Sequence, residues 1–439
     1  MNATIPQVAQ AMQTVLTTVA DTAAHETKFV QRASKMTGSL FAQTLTLGWL
    51  ANPQASLEEL TQTAATLGVA ISPQGLDERF TQAAAHCLQQ VLQAAVQQLL
   101  AAEPVAIPLL QRFRGVYVQD STTLVLPDGL AGEWQGCGGN SAGTAAALKL
   151  QVGWELGTGA LQGLWLQHGR ASDRSSPLQT GAPPPGALRL ADLGYYDLGV
   201  LATWATGGAY WLTRLRAGSC LWDERGQRLD LAQMLTAQEG PEVDILVRLG
   251  KTQRLPCRLV ARRVPPDLAA ERRRKLKAEA RKKGRMVNRE RLALADWTIF
   301  LTNAPVTLLT LAEVLVLARV RWQIELLFRL WKAHGQIDAW RSQKPWRILC
   351  EVYAKLLAML VQHWLFLVSN WAYPDRSLRK AAQTVQKHAL HLASVFGCRE
   401  QLEAAIAVIQ RCLAFGCRIN KRREQPHTYQ LLLATGGLA

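Results

Sequence analysis

The hydrophobic pattern of this chain changes period twice, and those changes limit the folds open to it. Residues 1–105 are rich in Ala, Gln and Leu and poor in strand signals. Asn52-Pro53 and Ser72-Pro73 punctuate this region into short helices, and Ser56 is placed to cap the one that begins LEEL. From about residue 108 the runs VYVQDSTTLVL, ALKLQVGWEL and ALQGLWLQHG are strand-like, separated by Gly-rich or acidic turns, and predict an antiparallel meander. RASDRSSPLQT and the Pro-rich GAPPPG then lead into ALRLADLGYYDLGVLATWA, a short strand that ends near Asp192 and passes into a helix. Between Gly207 and Asn303 the runs AYWLTRLRAG, VDILVRLG, RLPCRLVARRV and DWTIFLTN are again strand-like, and beyond about residue 340 the pattern returns to helix. No internal repeat is apparent. The expected fold class is α/β, with a helical N-terminal DNA-binding region at 1–105, a core at 106–206 and 305–375, a strand-rich insertion carrying a basic helix at 207–304, and a helical C-terminal region at 376–439.

The stretch that follows the insertion, RWQIELLFRLWK (Arg321–Lys332), has an unusual distribution of charge. At about 100° per residue, Arg321, Glu325, Phe328 and Lys332 fall within a sector roughly 60° wide. Apolar residues surround that sector, interrupted only by Gln323 and Arg329, so most of the helix calls for burial. An i,i+4 ion pair explains Arg321 and Glu325 on an exposed helix. On a buried one, a carboxylate between two cations suits a cleft, where it can hold a metal while the cations meet an anion such as phosphate.

The charge of the whole chain points the same way. It is formally +16, and Arg272–Arg291 holds eleven Lys or Arg residues against Glu279 and Glu290, a net of +9. Arg272, Arg273, Arg274, Lys275, Lys277, Arg281, Lys282 and Lys283 form its dense part. Such a patch repels itself unless neutralised, and a phosphate backbone is the usual partner. The eight cysteines show no CxxC pair and no histidine at metal-ligand spacing, which argues for a reducing compartment and against structural zinc. No secretory signal is evident. The longest apolar run, VYAKLLAMLVQHWLFLVS, contains Lys355, Gln362 and His363, as a buried helix does and a membrane span does not. A cytoplasmic protein without a membrane partner is expected.

Three acids occupy positions that make chemical sense together. Asp120 follows the apolar run VYV and precedes Ser121, Thr122 and Thr123; Asp192 ends the strand LRLA, with Gly194 permitting a close approach behind it; Glu325 lies on the amphipathic helix. Mg²⁺ or Mn²⁺ takes oxygen ligands. Three acids from two strands and one helix could hold two such ions about 3.5–4 Å apart, one activating a nucleophile and the other stabilising a leaving oxygen. The order of strands, with an acid at the end of the fourth, resembles an RNase H-like α/β core.

At this point the chain resembles the bacterial DDE transposases of insertion sequences, of the IS-four type. Their third catalytic acid lies in a Y-x2-R-x3-E-x6-K signature, whose last three positions are matched by Arg321, Glu325 and Lys332. Asp120 in VYVQDSTTL matches the family's first aspartate and Asp192 in LRLADLGYY its second. RLVARRVPPDLAAERRRKLKAEARKKGR followed by DWTIFLTNAP resembles the family's insertion. The resemblance implies that Asp120, Asp192 and Glu325 are catalytic and bind two Mg²⁺ or Mn²⁺ ions, and that Arg321 and Lys332 reach DNA phosphates. It further implies that Trp297 receives a base flipped from the transposon end. The expected function is cut-and-paste transposition of double-stranded DNA by a protein that works as a homodimer in the DNA complex. A resolvase-like nuclease and an idle transposase-derived regulator are the alternatives. One departure stands out: the signature tyrosine is Ala318 here, so its phosphate contact is missing unless Tyr117, Tyr195 or Tyr196 supplies it.

Overall fold

The computed structural model of the chain describes residues 3–138 and 145–435. Most of the Gly-rich connection between the first two expected strands, and the last four residues of the C-terminal region, lie outside the described residues. The chain divides into two compact units that interleave in sequence. One comprises Met1–Ile107, Asp120–Ala171 and Gln323–Gln430; the other comprises Pro108–Gln119, Ser172–Trp322 and Leu431–Ala439.

The first unit is mainly helical. Its N-terminal segment forms short helices as the sequence predicts, and Ser56 caps Leu57–Thr66 in a reciprocal box with Glu59, satisfying backbone groups that the first turn leaves open. At its centre runs Pro345–Leu367, which packs against Gly38–Ala51 and Gln82–Val96. This helix is long and apolar enough to cross a membrane, yet it is buried from Ile348 to Leu367. Two of its buried polar side chains are held by specific contacts. The Lys355 ammonium lies 2.8 Å from Glu351 Oε1 and donates to the carbonyls of Gln336 and Ala339, and the His363 ring meets the Gly159 carbonyl at 2.7 Å. Strands β1 (Val116–Leu126), β2 (Ala146–Glu155) and β3 (Leu161–His168) lie in the order β3–β2–β1, with β2 and β3 antiparallel and Leu150 opposite Leu166.

The second unit is built on a mixed sheet. The first four residues of β1 run parallel to β4 (Leu188–Ala191), with Val118 opposite Leu190, and β4 runs parallel to β5 (Tyr210–Arg214). Antiparallel pairing then leads through β9 (Trp297–Thr302), β8 (Leu255–Arg263) and β7 (Glu242–Leu249) to β6 (Leu221–Trp222). Leu249, Leu259, Leu301 and Trp211 are at the heart of its core. Asn303 fastens β9 to β5: its amide oxygen accepts from Trp211 N–H and its amide nitrogen donates to Ala209 O. The strand-like runs of the sequence thus become strands, and β5 continues the parallel ladder of β4 before the antiparallel strands begin.

Candidate active site and nucleic-acid interface

Asp192 stands where β4 ends. Its backbone is extended, its carboxylate is exposed, and it caps nothing although a short 3-10 turn, Leu193–Tyr195, begins directly after it. A Cβ at Gly194 would lie 2.8 Å from Asp173 Oδ2, the tip of a side chain that would have to shift to admit it. The carboxylate opens into a cavity of about 360 Å³ whose wall includes three cations, Arg214, Arg319 and Arg321. Ala318 and Trp322 line the same space.

Arg321 is not on the same continuous helix as Glu325. Leu311–Val320 ends at Arg321, where Trp322 N–H bonds back to Arg319 O in a tightened last turn, and a new helix runs from Gln323 to Ala333. The sector drawn for an unbroken helix therefore applies to Glu325, Phe328 and Lys332 alone. The break leaves the Trp322 indole 46 % exposed beside Arg321, whose guanidinium lies 5.9 Å from the ring centroid.

Arg214, at the end of β5, is a site residue that the sequence does not single out. It is a lone arginine after an apolar run, and only the strand register brings it beside the Asp192 cavity. It also lines a second cavity of about 430 Å³ together with Arg272, Lys275, Arg291 and Trp297. Burial, and then the nearby charge of Arg214, pull the Arg272 guanidinium below its ordinary range. Like charges held together in this way are relieved by an anion.

Trp297 opens β9 and is only 5 % exposed. The reason is its register: it pairs with Arg263 of β8, whose guanidinium lies 4.8 Å over the indole, while the ring packs into the core of its unit. An open stacking face is therefore not what this structure presents, and access to the ring is through the second cavity.

The basic run forms the helix Pro266–Lys282, which buries Ala269 alone. Its cations have divided tasks. Arg272 donates to Trp297 O at 3.0 Å and to Thr298 Oγ1 at 3.1 Å, Arg273 pairs with Asp296, and Lys275 pairs with Glu271 at 2.6 Å. Arg274, Lys277, Arg281, Lys282 and Lys283 are exposed.

In the first unit, Asp120 lies within β1, half-buried, and its Oδ1 accepts the Ser121 N–H at 2.8 Å. Glu325, also half-buried, occupies the first turn of Gln323–Ala333, while Ile324, Leu327, Phe328, Leu330 and Trp331 are buried. One helical stretch on, the Lys332 ammonium donates to Thr123 O at 3.1 Å. That bond fastens the helix bearing Glu325 to the strand bearing Asp120. Among the described residues, no three His, Cys, Asp or Glu side chains are gathered into a metal-binding group. Of the tyrosines that could stand in for the hydroxyl missing at Ala318, Tyr195 and Tyr196 are buried, and the Tyr196 hydroxyl is 3.4 Å from Ser219 Oγ.

Residues 111–361, more than half of the chain, match the transposase DDE domain, and the chain belongs to that family. Within it, the chain is similar to transposases of bacterial insertion sequences, in keeping with the resemblance to the IS-four type. The transposase of insertion element IS231E from Bacillus thuringiensis subsp. finitimus is 26 % identical over 379 residues, covering 81 % of this chain and 77 % of that protein. For the IS1151 transposase of Clostridium perfringens the identity is 23 %, covering 79 % and 77 %. InsL of IS186A from Escherichia coli K12, a putative transposase, is 27 % identical over 54 % of this chain and 62 % of its own length.

Proposed function

We propose that this transposase acts by cut-and-paste. It binds the terminal inverted repeats of its element, cleaves DNA at the ends, and joins each freed 3′-OH to a target phosphodiester. The observation that carries this reading is the Asp192 cavity, whose lining brings an exposed aspartate together with Arg214, Arg319 and Arg321. An acid surrounded by cations suits a phosphodiester under attack, because the cations hold the phosphate oxygens and offset the charge that builds on them. The strand order β3–β2–β1–β4–β5, with β1, β4 and β5 parallel, supports an RNase H-like core for this chemistry.

Asp120, Asp192 and Glu325 would hold Mg²⁺ or Mn²⁺. Their donor chemistry fits, being carboxylate oxygen throughout, and the Asp192 side chain makes no capping bond that a ligand would have to break. Two such ions, when bound, supply activation of the nucleophile and stabilisation of the leaving oxygen. The protein's own part is orientation. Arg214 and Arg321 grip phosphate, the Lys332 bond to Thr123 keeps Glu325's helix on Asp120's strand, and the exposed Trp322 indole offers a stacking face for a base at the cavity mouth.

The test is metal-dependent nicking of the DNA that flanks the coding sequence. Replacing Asp120, Asp192 or Glu325 by Ala should abolish nicking and leave binding largely intact. A variant that cut at the wild-type rate would remove that residue from the site.

A further inference from the structure

Three adjoining cavities run across the second unit, and the Asp192 cavity is the first of them. It shares Arg214 and Thr298 with the cavity of about 430 Å³. That one in turn shares Leu215, Ala217 and Leu294 with a third, of about 840 Å³, bounded by β6, the helix Leu231–Ala237 and the helix Arg289–Leu294. The third cavity has had no role so far. Its cations are Arg216, Arg228 and Arg289, all exposed, and none makes an ion pair among the described residues. Of its two acids, Asp230 is already engaged, its Oδ1 accepting Gln233 N–H at 2.9 Å as a helix cap. Glu290 stands beside Arg289 and Arg291 in sequence. The rest of the wall is mixed, with Leu215, Leu221, Leu231 and Leu294 beside the polar Ser219, Gln233 and Thr236.

We propose that this cleft beyond Asp192 binds an unpaired DNA strand, with Arg216, Arg228 and Arg289 gripping its phosphates in the third cavity. The proposal rests on the reading of Asp192 as a cleavage acid, which sets where the strand begins. Cations set beside apolar and hydrogen-bonding surface suit a single strand, since its phosphates and its bases are both open to contact. A duplex keeps its base faces stacked and offers such a wall only phosphate and groove edges. Cleavage at a duplex end also parts two strands, one of which must be held while the other is joined. The like-charge crowding of Arg214 against Arg272, midway along the cleft, is relieved by a phosphate passing between the first and third cavities.

The experiment measures binding in EDTA, so that no strand is cut. The probes are a blunt duplex from the element's end and the same duplex with a single-stranded extension on either strand. Replacing Arg216, Arg228 and Arg289 together by Ala should weaken binding of one extended duplex at least tenfold and leave the blunt duplex within twofold. The salt slope for the extended DNA should fall by about 2, from three contacts at about 0.7 each. The Arg→Lys triple variant, which retains the charges, should recover most of the affinity; if it folds and binds no better than the Ala triple, phosphate contact is wrong. Equal loss on the blunt duplex, or none on either extended DNA, overturns the proposal. Because cleavage plays no part, a failure of Asp192→Ala to abolish nicking would count against the catalytic assignment and leave this result to stand separately.

Discussion

Acidification should destabilise the first unit through His363, and the size of the effect can be worked from its surroundings. The ring is buried in Pro345–Leu367 among Trp154, Phe366 and Trp371, with Nε2 2.7 Å from Gly159 O and Nδ1 without a partner. The neutral tautomer carrying its proton on Nε2 satisfies this site; a second proton would be an N–H with no acceptor. Burial pushes the imidazole from 6.5 down to about 4; the Gly159 carbonyl acts against this, and the Arg376 charge adds to it. The unfolded chain therefore takes up the proton first. Stability held by neutral His363 is fully present above pH 6.5 and is lost as pH falls toward about 4. At about 1.4 kcal/mol per pH unit, that interval amounts to about 3 kcal/mol. The assay is urea unfolding followed by tryptophan fluorescence at pH 7 and pH 4, comparing wild type with His363→Gln. The variant should be less stable at pH 7 yet lose about 3 kcal/mol less than wild type on acidification. Parallel losses in the two proteins would show that His363 is not the responsible group, since carboxylates elsewhere contribute equally to both.

Neutralising Arg274, Lys277, Lys282 and Lys283 to Gln should weaken DNA binding across all sequences and lower the salt slope by up to about 3.6, at about 0.9 per duplex phosphate contact. An unchanged slope would make that helix a solvated face. Mixing Glu325→Ala protomers with wild type should suppress cleavage more than dilution does if each subunit of a two-end homodimer complex cuts the end that its partner binds. Strictly proportional loss would show that each subunit cuts alone.

Features set by local chemistry were legible in the sequence. The Ser56 cap needs only Glu59 three residues on, and the apolar runs of β1 to β4 carry their own strand signal. The buried face of Gln323–Ala333 was legible too, because helical period alone sets it. The break at Arg321 and Trp322 was not, since every residue there tolerates a helix and no breaker marks the place. Arg214 and Trp297 show the same limit from opposite sides. Register against β4 and β9 places the first beside Asp192, and register against Arg263 covers the second, with no trace of either in the local sequence. Within the basic run, Arg272 and Arg273 turn toward Trp297 O and Asp296, so a count of charges overstates how many are left for DNA. The compact units interleave segments far apart in the chain, whereas boundaries read from composition follow chain order.

On the proposed function, one protein both cuts and joins. The most direct measurement supplies Mg²⁺, a duplex labelled at the 3′ end of the element's terminal strand, and an unrelated supercoiled plasmid. The label should become covalently attached to the plasmid, and Asp120→Ala, Asp192→Ala and Glu325→Ala should each abolish the transfer. Label that is released by nicking but never enters the plasmid would contradict that function and leave a nuclease in place of a transposase.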